Sequence, residues 1–530
     1  MNVDFDVIIV GSGPAGVSAA FPLLKAGLKV LMVDGGRVPE VAPPELPFLR
    51  ARIRDNAQSK WMIGQNFHAL RQLDAVSPKL RVPTHAYVFD GFNSANHIQP
   101  QEFIAVGSLA TGGLSNSWGC GVARWSVAEL SGFPFDAAIL SRSYETVARR
   151  IGVSGGQNDD LSDYFGLDAW SQPPIQLDTL HTSVLQRYDR RRADFAALGF
   201  RLGRSRVAAL SADYAGRQGC DLSGNCLYGC HRRALYSAAD ELPQLLSYSN
   251  FHHHPGFIVE NVASSDAQVS LSGRYGGEFR GIRATKVLLA AGTLATTGLA
   301  LRALNLARSV TLRSCPTAAF LLWLPGFLGA ARVQAFGLGQ LSFSLAMEPG
   351  IAAFGSTFGT TGIPLSEFTS HLPLKRRYGI DVLRSLLSSC SVGNVFLPGH
   401  LSAAKATLGT DGALRIDGGY RDEVTDLMAT AEKRLRKVYW KLGAILLPMS
   451  FTVGRPGGDI HYAGTLPMRP TPVIGESDPF GELCGLADVH VIDGACLSSL
   501  SEKSHTLTIM ANADRIGNAT VTRLLERRKC

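Results

Sequence analysis

Between residues 6 and 36 an apolar run at 7–10 leads into Gly11-Ser12-Gly13-Pro14-Ala15-Gly16, a helical stretch, and a second apolar run that ends at Asp34. A short, continuous apolar run bounded by turn residues predicts a parallel strand buried on both faces. Gly11 permits the tight turn, Gly13 lets a pyrophosphate approach the backbone, and Gly16 lets the helix pack on the strand. The helix amino terminus then offers free N–H groups and a favourable dipole to a phosphate. Asp34, about 20 residues further on, is placed to accept hydrogen bonds from ribose hydroxyls. One unit of about 30 residues thus predicts a dinucleotide-binding βαβ, without separating FAD from NAD. Pro22 predicts a kink in the helix or a missing hydrogen bond.

A chain of 530 residues is too long for one simple core, and 45% apolar against 18% charged residues excludes extensive disorder. A strand-like run at 286–290 enters Ala291-Gly292-Thr293. Near the far end another run, 489–492, stops at Asp493-Gly494, and a helix is predicted over 506–517. Nucleotide-fold pieces at both ends predict an α/β fold. Its Rossmann-like domain is discontinuous (1–300 and 456–530), and residues 301–455 form an inserted α+β substrate domain. The insert reads as a sheet flanked by helices: 340–346 alternates, and 422–446 has an amphipathic helical period. The 56 glycines exceed the usual ~7%, which points to tight turns or backbone close to a ligand.

The net charge of +8 comes with short basic clusters at 190–192, 375–377 and 527–529. These read as solvated faces and not as a nucleic-acid groove, with some tolerance of anionic substrates. The longest uncharged apolar stretch, 318–331, is too short to span a bilayer and is broken at Pro325-Gly326. It reads as core, with a membrane-touching lip as the alternative. Nine cysteines without a visible export signal predict reduced thiols in a cytoplasm-like compartment.

The carboxyl-terminal blocks His461-Tyr462-Ala463-Gly464-Thr465-Leu466-Pro467-Met468, Val491-Ile492-Asp493-Gly494 and Thr506-Leu507-Thr508-Ile509-Met510-Ala511 resemble those of the glucose–methanol–choline (GMC) family of FAD-dependent oxidoreductases. Gly112-Gly113-Leu114-Ser115-Asn116-Ser117-Trp118-Gly119-Cys120 is similar to the flavin-contacting segment of the pyranose oxidase branch. The resemblance implies FAD, with Gly113, Ser115, Asn116, Trp118, Gly292 and Asp493 among its contacts. Pyranose oxidases attach the flavin covalently through a histidine just before the tryptophan. Ser117 stands there, so the resemblance implies non-covalent FAD. It covers both ends and several islands, and leaves 300–455, where substrate is chosen, largely unmatched.

Oxidising an alcohol needs a base for the hydroxyl proton and an acceptor for the hydride, and histidine suits the first task. The resemblance places His461 at the family's catalytic histidine. The partner position, usually asparagine or histidine followed by proline, reads Ser504-His505 here. His505 is the expected partner, with Ser504 as the strict-register alternative. The implied substrate is a small-molecule alcohol, plausibly a sugar, glycoside or sugar-bearing natural product. The electron acceptor, oxygen or a quinone, is left open, as is the oligomeric state. Two alternatives stand beside this: a dehydrogenase of an apolar or lipid alcohol that reduces a quinone, and a non-catalytic flavin-binding protein. The dense group Cys220, Cys226 and Cys230 reads as a structural, turn-rich loop near the flavin or the domain junction, with redox or disulfide use and a metal site as the alternatives. His252-His253-His254 reads as a polar loop.

Overall fold

Val7, Ile8 and Ile9 have no exposed surface, and the strand that contains them, Phe5–Val10, lies inside a seven-stranded sheet. The computed structural model describes residues 4–528 apart from 57, 65–68, 70–77, 157, 266–267, 364–373, 376–377, 380–381 and 384–385. Arg376, Arg377 and Lys529 of the basic clusters lie outside the described residues. Phe5–Val10 pairs in parallel with Val30–Asp34 on one side and with Glu278–Leu289 on the other. Phe251–Pro255 adds to Val30–Asp34 and Val489–Val491 to Glu278–Leu289, both again parallel. The amino-terminal half of Glu278–Leu289 continues into an antiparallel meander with Gln268–Tyr275 and Phe257–Ser265. Segments from the start, the middle and the far end of the chain therefore share one sheet.

One sequence expectation changes here, and the one at Pro22, whose missing N–H removes a helical hydrogen bond, stands. His252-His253-His254 is not a loop; it lies in the strand Phe251–Pro255, at the sheet edge. Histidine is no strong strand former, but pairing with Val30–Asp34 supplies the ladder that composition does not advertise. The helix Pro14–Lys25 passes through Pro22 in one piece. The final helix, Thr506–Arg527, longer than predicted, crosses that turn closely. A Cβ on Gly517 would lie 2.8 Å from the Pro22 ring and 2.9 Å from the Ala19 carbonyl oxygen. Only glycine lets the two helices meet there.

The second large sheet is antiparallel, in the order Ile445–Leu446, Thr317–Trp323, Cys390–Phe396, Ile351–Gly359, Leu341–Glu348, Phe200–Arg204. Its outer face is covered by the helix Glu423–Lys441. Tyr439 from that helix meets Phe200, Phe320 and Phe343 at ring distances of 6.0–6.3 Å. The apolar stretch 318–331 supplies the strand Thr317–Trp323, so its first half is sheet core. Residues 200–204, well before position 300, complete the same sheet. No helix among the described residues is long and apolar enough to cross a membrane.

Candidate active site

The carboxyl ends of the parallel strands converge on one cavity of about 1200 Å³, lined there by Gly11, Asp34, Ala290, Gly292 and Asp493. Such ends are where open α/β sheets bind ligands. Gly13 caps the first helix without a side-chain hydrogen bond, so the first N–H groups of the helix stay free toward the cavity. Gly113, at φ +61°, packs directly on this turn: a Cβ on Gly113 would lie 3.1 Å from Gly13 Cα. Two glycine backbones packed together beside a helix amino terminus leave that wall of the cavity free of side chains, a cradle on which a pyrophosphate fits. Asp34 is fixed in advance. Its carboxylate accepts from Gly36 N–H (2.8 Å), Thr111 Oγ1 (3.3 Å) and Ser12 Oγ, and pairs with His253 Nε2 (3.2 Å). His253 is a contact the sequence reading missed, because the strand pairing that brings it to Asp34 is remote in sequence.

The loop 112–118 is docked onto this cradle. Gly112 N–H donates to Ser12 Oγ at 3.0 Å, and Trp118 Nε1 donates to the Tyr236 carbonyl at 2.8 Å. Gly113, Ser115 and Trp118 line the cavity. Two residues expected to touch the cofactor stand behind it instead. Asn116 spends its amide N–H groups on the Thr111 and Gly113 carbonyls (both 2.9 Å) and accepts from Ser237 (2.8 Å), so it shapes the loop. Gly16 lies beneath the turn, where a Cβ would meet the Gly11 carbonyl oxygen at 1.9 Å. Ser117 Oγ is buried on the cavity wall without a partner. Asp493 accepts from Gly292 N–H (2.9 Å), Thr296 Oγ1 (2.5 Å) and Ala495 N–H (2.9 Å). Burial raises its carboxyl to about 6 against those bonds.

At the other end of the cavity the structure brings His461 and His505 together, with ring centroids 4.9 Å apart and planes at 65°. Phe396 packs on the far side of His461 at 5.4 Å. Ser504 lines the same cavity, half-buried. Nδ1 of both imidazoles is buried without a hydrogen-bond partner, which leaves Nε2 as the nitrogen that faces the cavity. Burial lowers His461 to about 4 and His505 well below its ordinary value, the second ring further depressed by its neighbour. Both are therefore neutral at pH 7. Asp459, two residues before His461, is fully buried behind it and was missed in the sequence. The clue was an acid at i−2 of a candidate base.

Four cysteines belong to one neighbourhood. Cys120 and Cys220 hold opposite sides of the segment 208–210 through backbone bonds, Ala208 N–H to Cys120 O (2.7 Å) and Cys220 N–H to Leu210 O (2.8 Å). The 220–230 loop reaches the cavity through Gly224 and Leu227, and Gly337 N–H donates to Cys226 Sγ at 3.4 Å. Burial pushes the Cys120 thiol up to about 12 and Cys220 to about 11. Among the described residues, the one set whose ligand atoms lie close enough together for a metal ion is Cys315, Asp459 and His461, not this loop.

Residues 5–97 match the family model described as pyridine nucleotide-disulphide oxidoreductase. The chain is 22% identical to paromamine 6'-oxidase of Streptomyces fradiae across 99% of its own length and 92% of that protein. The crystal structure of pyridoxine 4-oxidase from Mesorbium loti superimposes with a TM-score of 0.60 at 14% identity, covering 97% of this chain and 99% of that one. The chain is an FAD-dependent oxidoreductase. The matches support the GMC oxidoreductases as a broad family, and none of them singles out the pyranose oxidase branch. The glycine cradle and Asp34 are residues that could hold the dinucleotide, and Ser117, Trp118 and the two histidines line the same cavity.

Proposed function

We propose that the protein oxidises a CH–OH group of a small, hydroxyl-bearing molecule, with His461 as the base. The observation that carries this reading is the pair of neutral imidazoles, each with Nε2 toward the cavity that the nucleotide cradle also lines. FAD, held non-covalently by the cradle and the 112–118 loop, supplies hydride acceptance when bound. A neutral His461 takes the hydroxyl proton at Nε2 when its own ring hydrogen sits on Nδ1. His505 donates a hydrogen bond to the substrate oxygen and holds it against His461; Ser504 takes this part if His505 does not. Phe396, packed on the His461 ring at 5.4 Å, shields the proton's path from water on that side.

The substrate class follows from the sheet floor. Ser342, Ser356 and Asn394 are cross-strand neighbours and line the cavity. Ser342 bonds to Ser205 (2.7 Å) and Ser356 (2.9 Å), and Asn394 Oδ1 accepts from Ser356 N–H (2.8 Å). A continuous polar row favours a substrate with several hydroxyl or amino groups, such as a sugar or glycoside. Its likeness to a paromamine oxidase points the same way, and to oxygen as acceptor. A second reading rests on the cavity rim, where Met449 is 82% and Val453 45% exposed. These favour an apolar or lipid alcohol, with electrons passed to a quinone. Free buried thiols fit a reducing, cytoplasm-like setting. Anaerobic flavin bleaching against sugars, aminoglycosides, pyridoxine-like and long-chain alcohols, then reoxidation by air or a quinone, decides between them. Bleaching by long-chain alcohols alone would overturn the sugar reading, and bleaching by none would overturn oxidation of alcohols.

A further inference from the structure

Asp459 is a buried carboxyl that the mechanism above does not use. Its side chain has no exposed surface. Oδ2 accepts from Cys315 N–H at 2.7 Å and His461 N–H at 3.2 Å, which fixes the plane of the group. Oδ1 has no partner, and neither has His461 Nδ1. The two side chains approach to 3.9 Å between Oδ2 and Nδ1, one small rotation short of a hydrogen bond. No lysine or arginine pairs with the carboxyl among the described residues. An unsatisfied buried Nδ1 is costly, and the carboxyl oxygen that a small rotation brings within its reach is Asp459 Oδ2.

The backbone between them supports this. Ile460 sits at φ +60°, a left-handed conformation that a β-branched residue rarely adopts. Such strain is of order 1–3 kcal/mol and persists where the surroundings impose it, often at active sites. An extended Ile460 would leave Asp459 and His461 on one face of the chain but roughly 6–7 Å apart. The left-handed turn folds the carboxyl back onto the imidazole.

We infer that Asp459 is a positioning residue that sets the tautomer of His461. This rests on the reading of His461 as base. An ionised Asp459 accepts from Nδ1–H, so Nε2 is left with the lone pair that takes the substrate proton. The Nδ1 proton stays on the ring, and the imidazolium formed is balanced by the carboxylate behind it. A neutral Asp459 donates its own proton to Nδ1 instead, and Nε2 then carries hydrogen and is no base. The groups that face the carboxyl are His461, Cys315, Tyr420 and Tyr462, with His505 beyond His461. Burial among them raises Asp459 to about 8, so the base form of His461 grows in as pH rises through that value.

The test uses holoenzyme labelled with 15N-histidine, the His461 signals being assigned by their loss in His461→Gln. Wild type is expected to move to the Nδ1–H tautomer as pH rises through about 8, and Asp459→Asn to lose that transition. Asp459→Ser, smaller and still able to accept from the two backbone N–H groups, covers the case in which the amide disturbs the fold. With a substrate found by bleaching, the reduction rate should rise through the same pH in wild type. In Asp459→Asn it should be flat and ~100-fold lower at its best, while KM changes little. Identical His461 tautomers in wild type and both variants overturn the inference, whatever the activity. An intact tautomer switch in an enzyme whose His461→Gln form still bleaches overturns the base assignment instead.

Discussion

His461 and His505 meet edge to face at 4.9 Å, and His505 is placed there as the residue that precedes the first turn of the terminal helix. One ring therefore comes from a strained loop and the other from the amino end of the long helix. Such rings can divide the work between proton transfer and orientation. His461→Ala should keep its bound flavin while losing ~10²–10⁴-fold in the rate of anaerobic reduction, the usual range for a general base. His505→Ala should lose less, about 10-fold or more, because a hydrogen bond and not a proton acceptor is removed. Stopped-flow bleaching of the two variants reads both numbers. A His461→Ala enzyme that bleaches at the wild-type rate would remove His461 from the chemistry.

Burial of His461 also ties the site to pH through stability. Its folded pKa, about 4, lies below the unfolded value near 6.5, so between these two pH values the unfolded chain binds a proton that the native one refuses. Native stability at this position falls as pH drops through that window. His461→Gln removes the titration. At pH 5 the variant should gain roughly 2 kcal/mol relative to wild type over their difference at pH 7. Urea unfolding of both proteins at the two pH values measures it, and equal differences at pH 5 and 7 would show that His461 titrates normally.

The sheet that binds the nucleotide was legible because its signals are local: Gly11, Gly13, Gly16 and Asp34 lie within one unit, and strand periodicity around them is unbroken. The meeting of both chain ends was legible for the same reason, from the strand before Asp493 and the helix after His505. What stayed hidden depends on distant pairing. The strand at His252–His254 exists because Val30–Asp34 offers it a ladder, and Phe200–Arg204 belongs to a sheet whose other main strands lie beyond position 300. Asn116 and Gly16 were expected at the cofactor because they belong to motifs, yet a motif fixes backbone course and not which side chain faces inward. Asp459 escaped because its importance comes from a left-handed Ile460, and no residue type announces that conformation at isoleucine.

Gly113 tests the cradle. Its φ of +61° is a left-handed conformation, and a methyl group there would crowd Gly13 Cα at 3.1 Å. Gly113→Ala should cost roughly 1–2 kcal/mol in the folded state and push the 112–118 loop away from the turn that fits the phosphates. The purified variant is expected to have a lower flavin-to-protein absorbance ratio and to lose flavin on gel filtration. Full flavin content at equal affinity would show that the contact between these two glycines has no part in holding the pyrophosphate.

Asn394 tests the polar floor. Its Oδ1 is committed to Ser356 N–H at 2.8 Å, while its amide N–H groups, half-exposed on the cavity wall, have no protein partner. They are the most available donors in the row, because Ser342 and Ser356 already bond to each other. A hydroxyl-rich substrate that uses them loses about one net hydrogen bond in Asn394→Ala, worth 0.5–1.5 kcal/mol, or up to about 10-fold in affinity. Where Asn394 holds a hydroxyl other than the one oxidised, the binding is lost equally in ground and transition states. KM should therefore rise by about that factor with kcat nearly unchanged. An apolar alcohol would respond in the opposite sense, since removing an amide that must be desolvated without a partner lowers its KM. Steady-state kinetics of the two variants, Asn394→Ala and the control Ser356→Ala, on the best sugar and the best long-chain alcohol read both signs. A KM for the sugar that does not move in Asn394→Ala would leave the polar row without a part in recognition.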